Sequence, residues 1–353
     1  MTARTLLRSR RTMRPRPRLA APHYRAARWV RATFVTAFAS TALIVSSAAA
    51  AAGTAQRHGA PYAVGLRPYT FVDTSRATPP NGTYPGAPSR TLPTILAYPA
   101  KGDPAGPVVE NAPPIQRGKK FPLLIFSHGY GGNSMSRLAD LTERLVRVGF
   151  VVAAPTFPLS SENAPGGTTQ ADDANQPGDV SFVITQVLAL AREHRSLGKT
   201  IDRHEIGVYG NSLGGATTFG VAANSCCRDA RIDAAVSLWG GEFPYPGGSY
   251  FSEPTPPLML VHGTDGQLVP YEFSLTAYDG APSPKAFLTL EGAPHNPFFP
   301  PWHGPLVRSV LDFLQGFLEH DSLAIRHLAA DGNVAGVASL QQDLSSCHWC
   351  RPS

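Results

Sequence analysis

One pentapeptide constrains this chain more than any other segment: GNSLG at 210–214, with Ser212 at its centre. It follows a short β-type run at 206–209 and leads into residues 215–223, which can begin a helix. A serine at the tip of so tight a turn has a strained backbone, so the positions two before and two after it carry almost no side chain. The pattern predicts a serine nucleophile whose hydroxyl is exposed. The alternative is a glycine-rich turn without a chemical role.

A second glycine-rich segment, SHGYGG at 127–132, directly follows the apolar run at 121–126. A His-Gly-x-Gly sequence after a buried strand lets the backbone fold tightly and point an N–H group inward. We expect the backbone N–H groups of Tyr130 and Leu213 to form an oxyanion hole. His128 is expected to brace this loop through hydrogen bonds. The alternative is again a turn with no chemical role.

The general base is expected downstream of the nucleophile, on a loop that follows a strand. His295 lies just beyond the predicted strand at 286–290, in a turn-rich loop that can carry an imidazole to Ser212. The alternatives are that His295 is an ordinary exposed histidine, or that His303 is the base. His262, at the end of another predicted strand, is expected to brace that strand end.

Apolar runs alternate with helical patterns along most of the chain. The predicted strands lie at 94–98, 121–126, 150–154, 206–209, 233–238, 258–261 and 286–290. Helical spacing of apolar residues is found at 138–148, 179–195 and 305–319. Repeated strand–helix–strand units predict an α/β fold with a mostly parallel central sheet and helices on both faces. Such sheets place their chemistry at the carboxyl ends of the strands.

Together these motifs resemble the dienelactone hydrolase and platelet-activating-factor acetylhydrolase-like branch of the α/β-hydrolase superfamily. Cutinase-like polyester hydrolases and chlorophyllase-like proteins look similar too. The likeness covers about residues 65–330 and depends on the segments 126–132, 210–215, 262–264 and 292–295. The resemblance implies hydrolysis of carboxylic esters through an acyl-enzyme at Ser212, with no metal or organic cofactor.

Of the predicted catalytic residues, the carboxylate that orients the base is the hardest to assign. Such hydrolases often carry His-Gly-x-x-Asp-x-x-Val-Pro, and the segment 262–270 reads HGTDGQLVP, with Gly266 at the usual aspartate position. Asp265, one residue earlier, is the predicted acid, since a carboxylate must orient the imidazole and stabilise its charged form. The alternative is that Asp265 only forms a turn before glycine. Glu242, after an earlier strand, is the alternative acid.

The net charge of +6 is misleading, because residues 1–52 contain ten arginines and no acidic residue. The remainder has 21 basic and 25 acidic residues, a net charge of −4, which does not indicate a nucleic-acid-binding surface. Arginines followed by the uncharged stretch 33–52 predict a cleaved signal. The protein would then be secreted, periplasmic or in the cell envelope, with no stable membrane span. A retained anchor is the alternative.

Four segments are predicted along the chain: a leader at 1–52, an extended N-terminal arm at 53–90, an α/β-hydrolase domain at 91–330 and a C-terminal tail at 331–353. The four cysteines form two sequence pairs, and an even count in an exported chain favours disulfides in any of three connectivities. Zinc held by Cys347, His348 and Cys350 is the competing idea, and it lacks a convincing fourth ligand.

The predicted function is therefore that of a secreted, esterase- or lipase-like serine hydrolase acting on a small-molecule, lipid or polyester ester. The alternatives are a peptidase or amidase on the same fold and a catalytically impaired binding protein. The loop at 156–178 and the stretch at 240–257 are expected to shape the pocket. No lid helix stands out in the sequence, which favours short acyl chains.

Overall fold

The computed structural model describes residues 61–350, except 117, 119, 135–138 and 194–196. Within this part of the chain, ten strands form one sheet. The strands are β1 (Ala63–Asp73), β2 (Arg90–Ala100), β3 (Val109–Glu110), β4 (Phe121–Ser127), β5 (Val151–Pro155), β6 (Ile201–Asn211), β7 (Ala234–Leu238), β8 (Leu258–Gly263), β9 (Lys285–Leu290) and β10 (Ala338–Asp343). The helices are α1 (Ala139–Val148), α2 (Gln176–Glu193), α3 (Leu213–Ala223), α4 (Tyr271–Gly280), α5 (His303–Glu319) and α6 (Ser322–Gly332).

The sheet has a parallel centre flanked by antiparallel pairs, and its edge strand β3 is parallel to β1. Its strand order is β10-β9-β8-β7-β6-β4-β5-β2-β1-β3. Strands β4 to β9 pair in parallel with their neighbours, whereas β2 is antiparallel to both β1 and β5, and β10 is antiparallel to β9. The predicted α/β-hydrolase fold with a mostly parallel sheet is therefore confirmed.

Helices cover both faces of the sheet because its central strands are apolar on both sides. Every residue of β4 is buried. Leu124 and Phe126 belong to one hydrophobic cluster, shared with α1, α5 and α6. Leu123 and Ile125 belong to the other, shared with α2, α3 and α4. This alternation fixes the register of the strand, since a one-residue slip would exchange the two faces.

Two segments predicted to lie outside the central domain contribute strands to its sheet. Part of the predicted arm forms β1, which pairs with β2 along its whole length. The predicted tail supplies β10, which pairs with β9. Both strands are only partly buried, so their sequences lack a continuous apolar run. The limits at 90/91 and 330/331 therefore separate no structural units in this part of the chain.

The cysteines form two local disulfides, Cys226–Cys227 and Cys347–Cys350. The second bridge joins the two thiols that zinc bound beside His348 would need. Within the described residues, no group of three His, Cys, Asp or Glu side chains has an arrangement that could hold a metal ion. The predicted leader lies outside those residues. Among the helices they contain, none is long and apolar enough to cross a membrane.

Candidate active site

Ser212 lies at the junction of β6 and α3, at the carboxyl edge of the sheet. Its backbone has φ 56° and ψ −122°, a strained conformation for a residue with a side chain. Two backbone bonds hold it, because its N–H donates to Leu238 O at 2.8 Å and its carbonyl accepts from Ala216 N at 3.0 Å. A Cβ at Gly214 would collide with the Ser127 carbonyl. The small residue two positions after the serine is therefore a steric requirement of the turn.

Ser212 and His295 line the same cavity, which has a volume of about 230 Å³. Tyr130 and Leu268 also line it, and Leu268 is 78% exposed, so the cavity opens to solvent. The strand ends of the sheet bring these side chains together from segments that are far apart in sequence. The structure thus places the predicted nucleophile and the predicted base at one site.

The predicted oxyanion donors are the backbone N–H groups of Tyr130, which lines the cavity, and of Leu213, which follows Ser212. The amide of Gly129 is used internally, since it donates to Asn211 Oδ1 at 3.1 Å. The N–H groups of Tyr130 and Leu213 donate to no acceptor among the described residues. The Tyr130 hydroxyl donates to Thr168 O at 2.9 Å, which anchors the ring beside the cavity. This is the donor pair that the sequence predicts for the oxyanion.

Asn211 connects the loops of the site, a role that the sequence analysis missed. Its side chain is 4% exposed, and Oδ1 accepts the Gly129 N–H while Nδ2 donates to Asn296 Oδ1 at 3.0 Å. Asn296 follows His295 and has φ 61°, in the left-handed region. One amide therefore joins the turn at Ser212, the loop at 127–132 and the loop that carries His295. The only sequence signal is a polar residue at the variable position of the pentapeptide.

Aromatic side chains surround His295. The ring of Trp239 lies 6.2 Å from the imidazole between centroids, and Phe298 packs edge-on against Trp239 at 5.4 Å. His303, the alternative base, lies at the start of α5, and its Nε2 is 2.6 Å from Asp140 Oδ2. This bond directs His303 to α1. His295 is the predicted base that faces Ser212 across the cavity.

Asp265 lies in a loop that is bonded to the segment before His295. The Asp265 N–H donates to Ala293 O at 3.0 Å, and the Gly292 N–H donates to Thr264 Oγ1 at 2.8 Å. These bonds bring the backbone of Asp265 beside the loop of the base. Its side chain is exposed, and its carboxylate makes no hydrogen bond within the described part of the chain.

Glu242, the alternative acid, lies in a different environment. Its carboxylate is beside Gly280, at the end of α4, and burial raises its pKa. The neighbouring Tyr250 packs on Phe219 at 5.0 Å, within the cluster that α2, α3 and α4 cover. The residue that contacts His295, Trp239, belongs to the cluster on the other face. Glu242 does not line the cavity that Ser212 and His295 share.

Two buried histidines brace the loops of the site. His128 accepts the Phe157 N–H at Nε2, at 3.0 Å, and its Nδ1 lies 2.8 Å from Gly129 O. A neutral ring with its proton on Nδ1 satisfies both contacts. His262 bonds Ser274 Oγ through Nδ1 at 2.7 Å. Burial lowers the pKa of each imidazole to about 4. Both histidines have the bracing role that the sequence predicts.

Comparison with known families agrees with this architecture. The family model for dienelactone hydrolases matches residues 111–274. The matched span includes the loop at 127–132, Ser212 and Asp265, and it ends before His295. The resemblance found in the sequence is confirmed, and it identifies the chain as a hydrolase of the α/β-hydrolase fold. A comparison with curated proteins gave no match.

Proposed function

We propose that this α/β-hydrolase is a serine hydrolase that cleaves carboxylic esters through an acyl-enzyme at Ser212. The observation that carries the proposal is the cavity shared by Ser212 and His295. The strained turn supports it, because it exposes the hydroxyl next to the first N–H of α3. A nucleophile, a base and N–H donors around one cavity are the groups that acyl transfer needs.

The proposed reaction has two halves. Ser212 Oγ attacks the acyl carbon while His295 accepts the hydroxyl proton, and the resulting oxyanion accepts hydrogen bonds from the N–H groups of Tyr130 and Leu213. The bond to the alcohol oxygen breaks as His295 returns the proton to that oxygen. Water, deprotonated by His295, then attacks the acyl-enzyme and releases the carboxylic acid and Ser212.

Asp265 is the carboxylate that we assign to His295. Its role would be to hold the imidazole in the productive tautomer and stabilise the imidazolium. The bond between the Asp265 N–H and Ala293 O supports this assignment, because it holds the backbone of Asp265 against the loop of the base, two residues before His295. The position of Glu242 beside Gly280 argues against the alternative.

Export is a separate part of the proposal. Residues 1–52 carry the basic and apolar segments of a signal, and both disulfides fit an oxidising compartment. Mass spectrometry of the chain recovered from its native host is the test. We expect an N-terminus after the alanine-rich end of the leader. A retained leader would contradict cleavage.

Hydrolysis of p-nitrophenyl acetate by purified protein tests the activity. We expect Ser212→Ala and His295→Ala to lower kcat by roughly 10⁴- to 10⁶-fold. Ser252→Ala and His303→Ala are matched controls and retain activity, because Ser252 is exposed and His303 bonds Asp140. Equal rates for Ser212→Ala and the unmodified protein would contradict the proposal. Faster cleavage of the matching p-nitroanilide would indicate an amidase instead.

A further inference from the structure

A second cavity lies at the same edge of the sheet as Ser212. Its volume is about 330 Å³, and it lies between the loop after β5 and the hairpin at 78–89 that precedes β2. Because β2 is antiparallel to β5, its first residues lie at the carboxyl end of β5. Only β4 separates β5 from β6. Since neighbouring strands are about 4.8 Å apart, this cavity lies roughly 10–15 Å from Ser212.

The lining of the second cavity is uncharged. Two aromatic rings and three prolines provide its apolar surface, and the hydroxyl groups of threonines and serines interrupt it. The rings and prolines are Tyr84, Phe157, Pro93, Pro158 and Pro165. Apolar walls with a few polar groups are typical of small-molecule sites, and such sites begin at about 300 Å³. The lining therefore suits a neutral, mainly apolar group.

The second cavity shares a wall with the oxyanion loop. Gly132 lines the cavity of Ser212, Ser161 lines the second cavity, and these two residues pair in a parallel bridge. The Gly131 N–H also donates to Ser160 O at 2.8 Å. A single layer of backbone thus separates the two cavities, so a ligand that occupies both has to pass over the bridge between Gly132 and Ser161.

Contacts within the protein hold the walls of the second cavity in place. Arg90, where β2 begins, is fully buried and donates to Asp172 at 2.7 Å and to Asp179 at 2.6 Å. This cluster fixes the start of β2 against the segment that leads into α2. The Asn81 side chain donates to Pro165 O at 2.8 Å, which holds the hairpin against the loop after β5. A preformed cavity costs little ordering when a ligand enters.

We propose that the second cavity is an accessory subsite for an extended ester, and this inference rests on the proposed function. It holds the uncharged, apolar part of the substrate that is remote from the bond to be cleaved. The acyl carbon lies at Ser212 at the same time. The substrate class is then an ester whose chain extends roughly 10–15 Å beyond the reacting carbonyl, which is the span between Ser212 and the second cavity.

Filling the cavity tests this subsite. Ser89→Leu and Ala87→Leu place bulk at two lining positions. Thr83→Leu is the matched control, because Thr83 is exposed on the same hairpin and does not line the cavity. The substrates are p-nitrophenyl acetate, p-nitrophenyl decanoate and decyl acetate. The two long esters distinguish an acyl chain from an alcohol chain as the occupant.

We expect the unmodified protein and Thr83→Leu to hydrolyse one long ester with a lower KM than the acetate. Ser89→Leu raises that KM by at least roughly tenfold and leaves the acetate parameters unchanged. If Ser89→Leu loses acetate hydrolysis as well, Ala87→Leu decides by the same criterion. Equal KM values for short and long esters, or equal changes for both in the variants, would overturn the subsite. Acetate hydrolysis that depends on Ser212 would leave the proposed function intact.

Discussion

The turn at Ser212 and the loop that carries Asp265 lie at the same edge of the sheet, yet they are constrained very differently. At the turn, a Cβ at Gly214 would collide with the Ser127 carbonyl, so only glycine fits at this position. In the loop, a Cβ at Gly266 would lie 3.2 Å from Gly263 O and 3.3 Å from His262 Nε2, a tight but adjustable contact. Backbone collisions therefore require glycine at position 214, whereas steric contacts alone do not require it at position 266.

After the losses expected for Ser212→Ala and His295→Ala, the largest effect concerns the acid in the less constrained loop. We predict that Asp265→Asn lowers kcat for p-nitrophenyl acetate by roughly 10⁴-fold, because His295 loses the group that orients it. Glu242→Gln is the matched control and stays near the unmodified protein, since its carboxylate lies beside Gly280. Initial-rate kinetics on both variants measure this. A large loss in Glu242→Gln with little loss in Asp265→Asn would reverse the assignment.

The steric difference between the two glycines gives the next prediction. Gly214→Ala is expected to lower the free energy of unfolding by roughly 3 kcal/mol or more, because its Cβ has to displace the Ser127 carbonyl. Gly266→Ala is expected to cost under about 1 kcal/mol, since the neighbouring atoms need to move only slightly. Urea unfolding followed by circular dichroism compares them. Equal losses would show that the two backbones are equally constrained.

Asn211 tests whether the turn also positions the base. We predict that Asn211→Leu lowers kcat by roughly 10- to 100-fold and leaves KM nearly unchanged, because the bonds to Gly129 and Asn296 are lost. Asn211→Gln, which keeps an amide, recovers part of the rate. Kinetics with p-nitrophenyl acetate separate the two parameters. An unchanged kcat in Asn211→Leu would show that the loops hold their positions without this amide.

The smallest effect is the pH dependence of stability that arises from two buried histidines. His128 lies beside the turn at Ser212, and His262 lies beside the loop of Asp265. Burial lowers the pKa of His128 and His262 to about 4 in the folded protein, against 6.5 for an exposed histidine. The unfolded chain therefore binds these protons first as the pH falls. The stability that the two neutral rings contribute is complete well above pH 6.5 and declines as the pH falls towards about 4. Each histidine contributes roughly 1 kcal/mol to the loss between about pH 7.5 and about pH 5.5.

Urea unfolding at these two pH values measures this dependence. The slope is expected to be shallower in His128→Asn, which lacks the ionisable ring. His204→Gln, at an exposed position, is the control and keeps the full slope. A free energy of unfolding that stays constant between the two pH values would contradict the burial argument.

The buried elements could be predicted from the sequence because burial on both faces leaves continuous apolar runs. Strands β4 to β9 and helix α5 are of this kind. Strand β10, with the sequence ASLQQD, and helix α4, with YEFSLTAYDG, were missed because their residues are only partly buried. Their positions depend on pairing and packing that a local pattern does not encode.

The residues of the candidate site also fall into those that could be predicted from the sequence and those that could not. The turn at Ser212 could be predicted because its glycines are sterically required, and His295 because the order of the motifs places it after a strand. The contacts of Asn211 could not be predicted, since they join segments more than 80 residues apart in sequence. The direction of the Asp265 carboxylate depends on the conformation of an exposed loop. Sequence patterns alone therefore leave two candidate acids.

Covalent trapping tests the central claim most directly. A p-nitrophenyl alkylphosphonate is attacked by an activated serine and leaves a stable phosphonyl group on its oxygen. We predict stoichiometric release of p-nitrophenol and, by peptide mass spectrometry, a single phosphonylated residue at Ser212, with no labelling of Ser212→Ala. Labelling at another residue, or equal labelling of Ser212→Ala, would contradict the account.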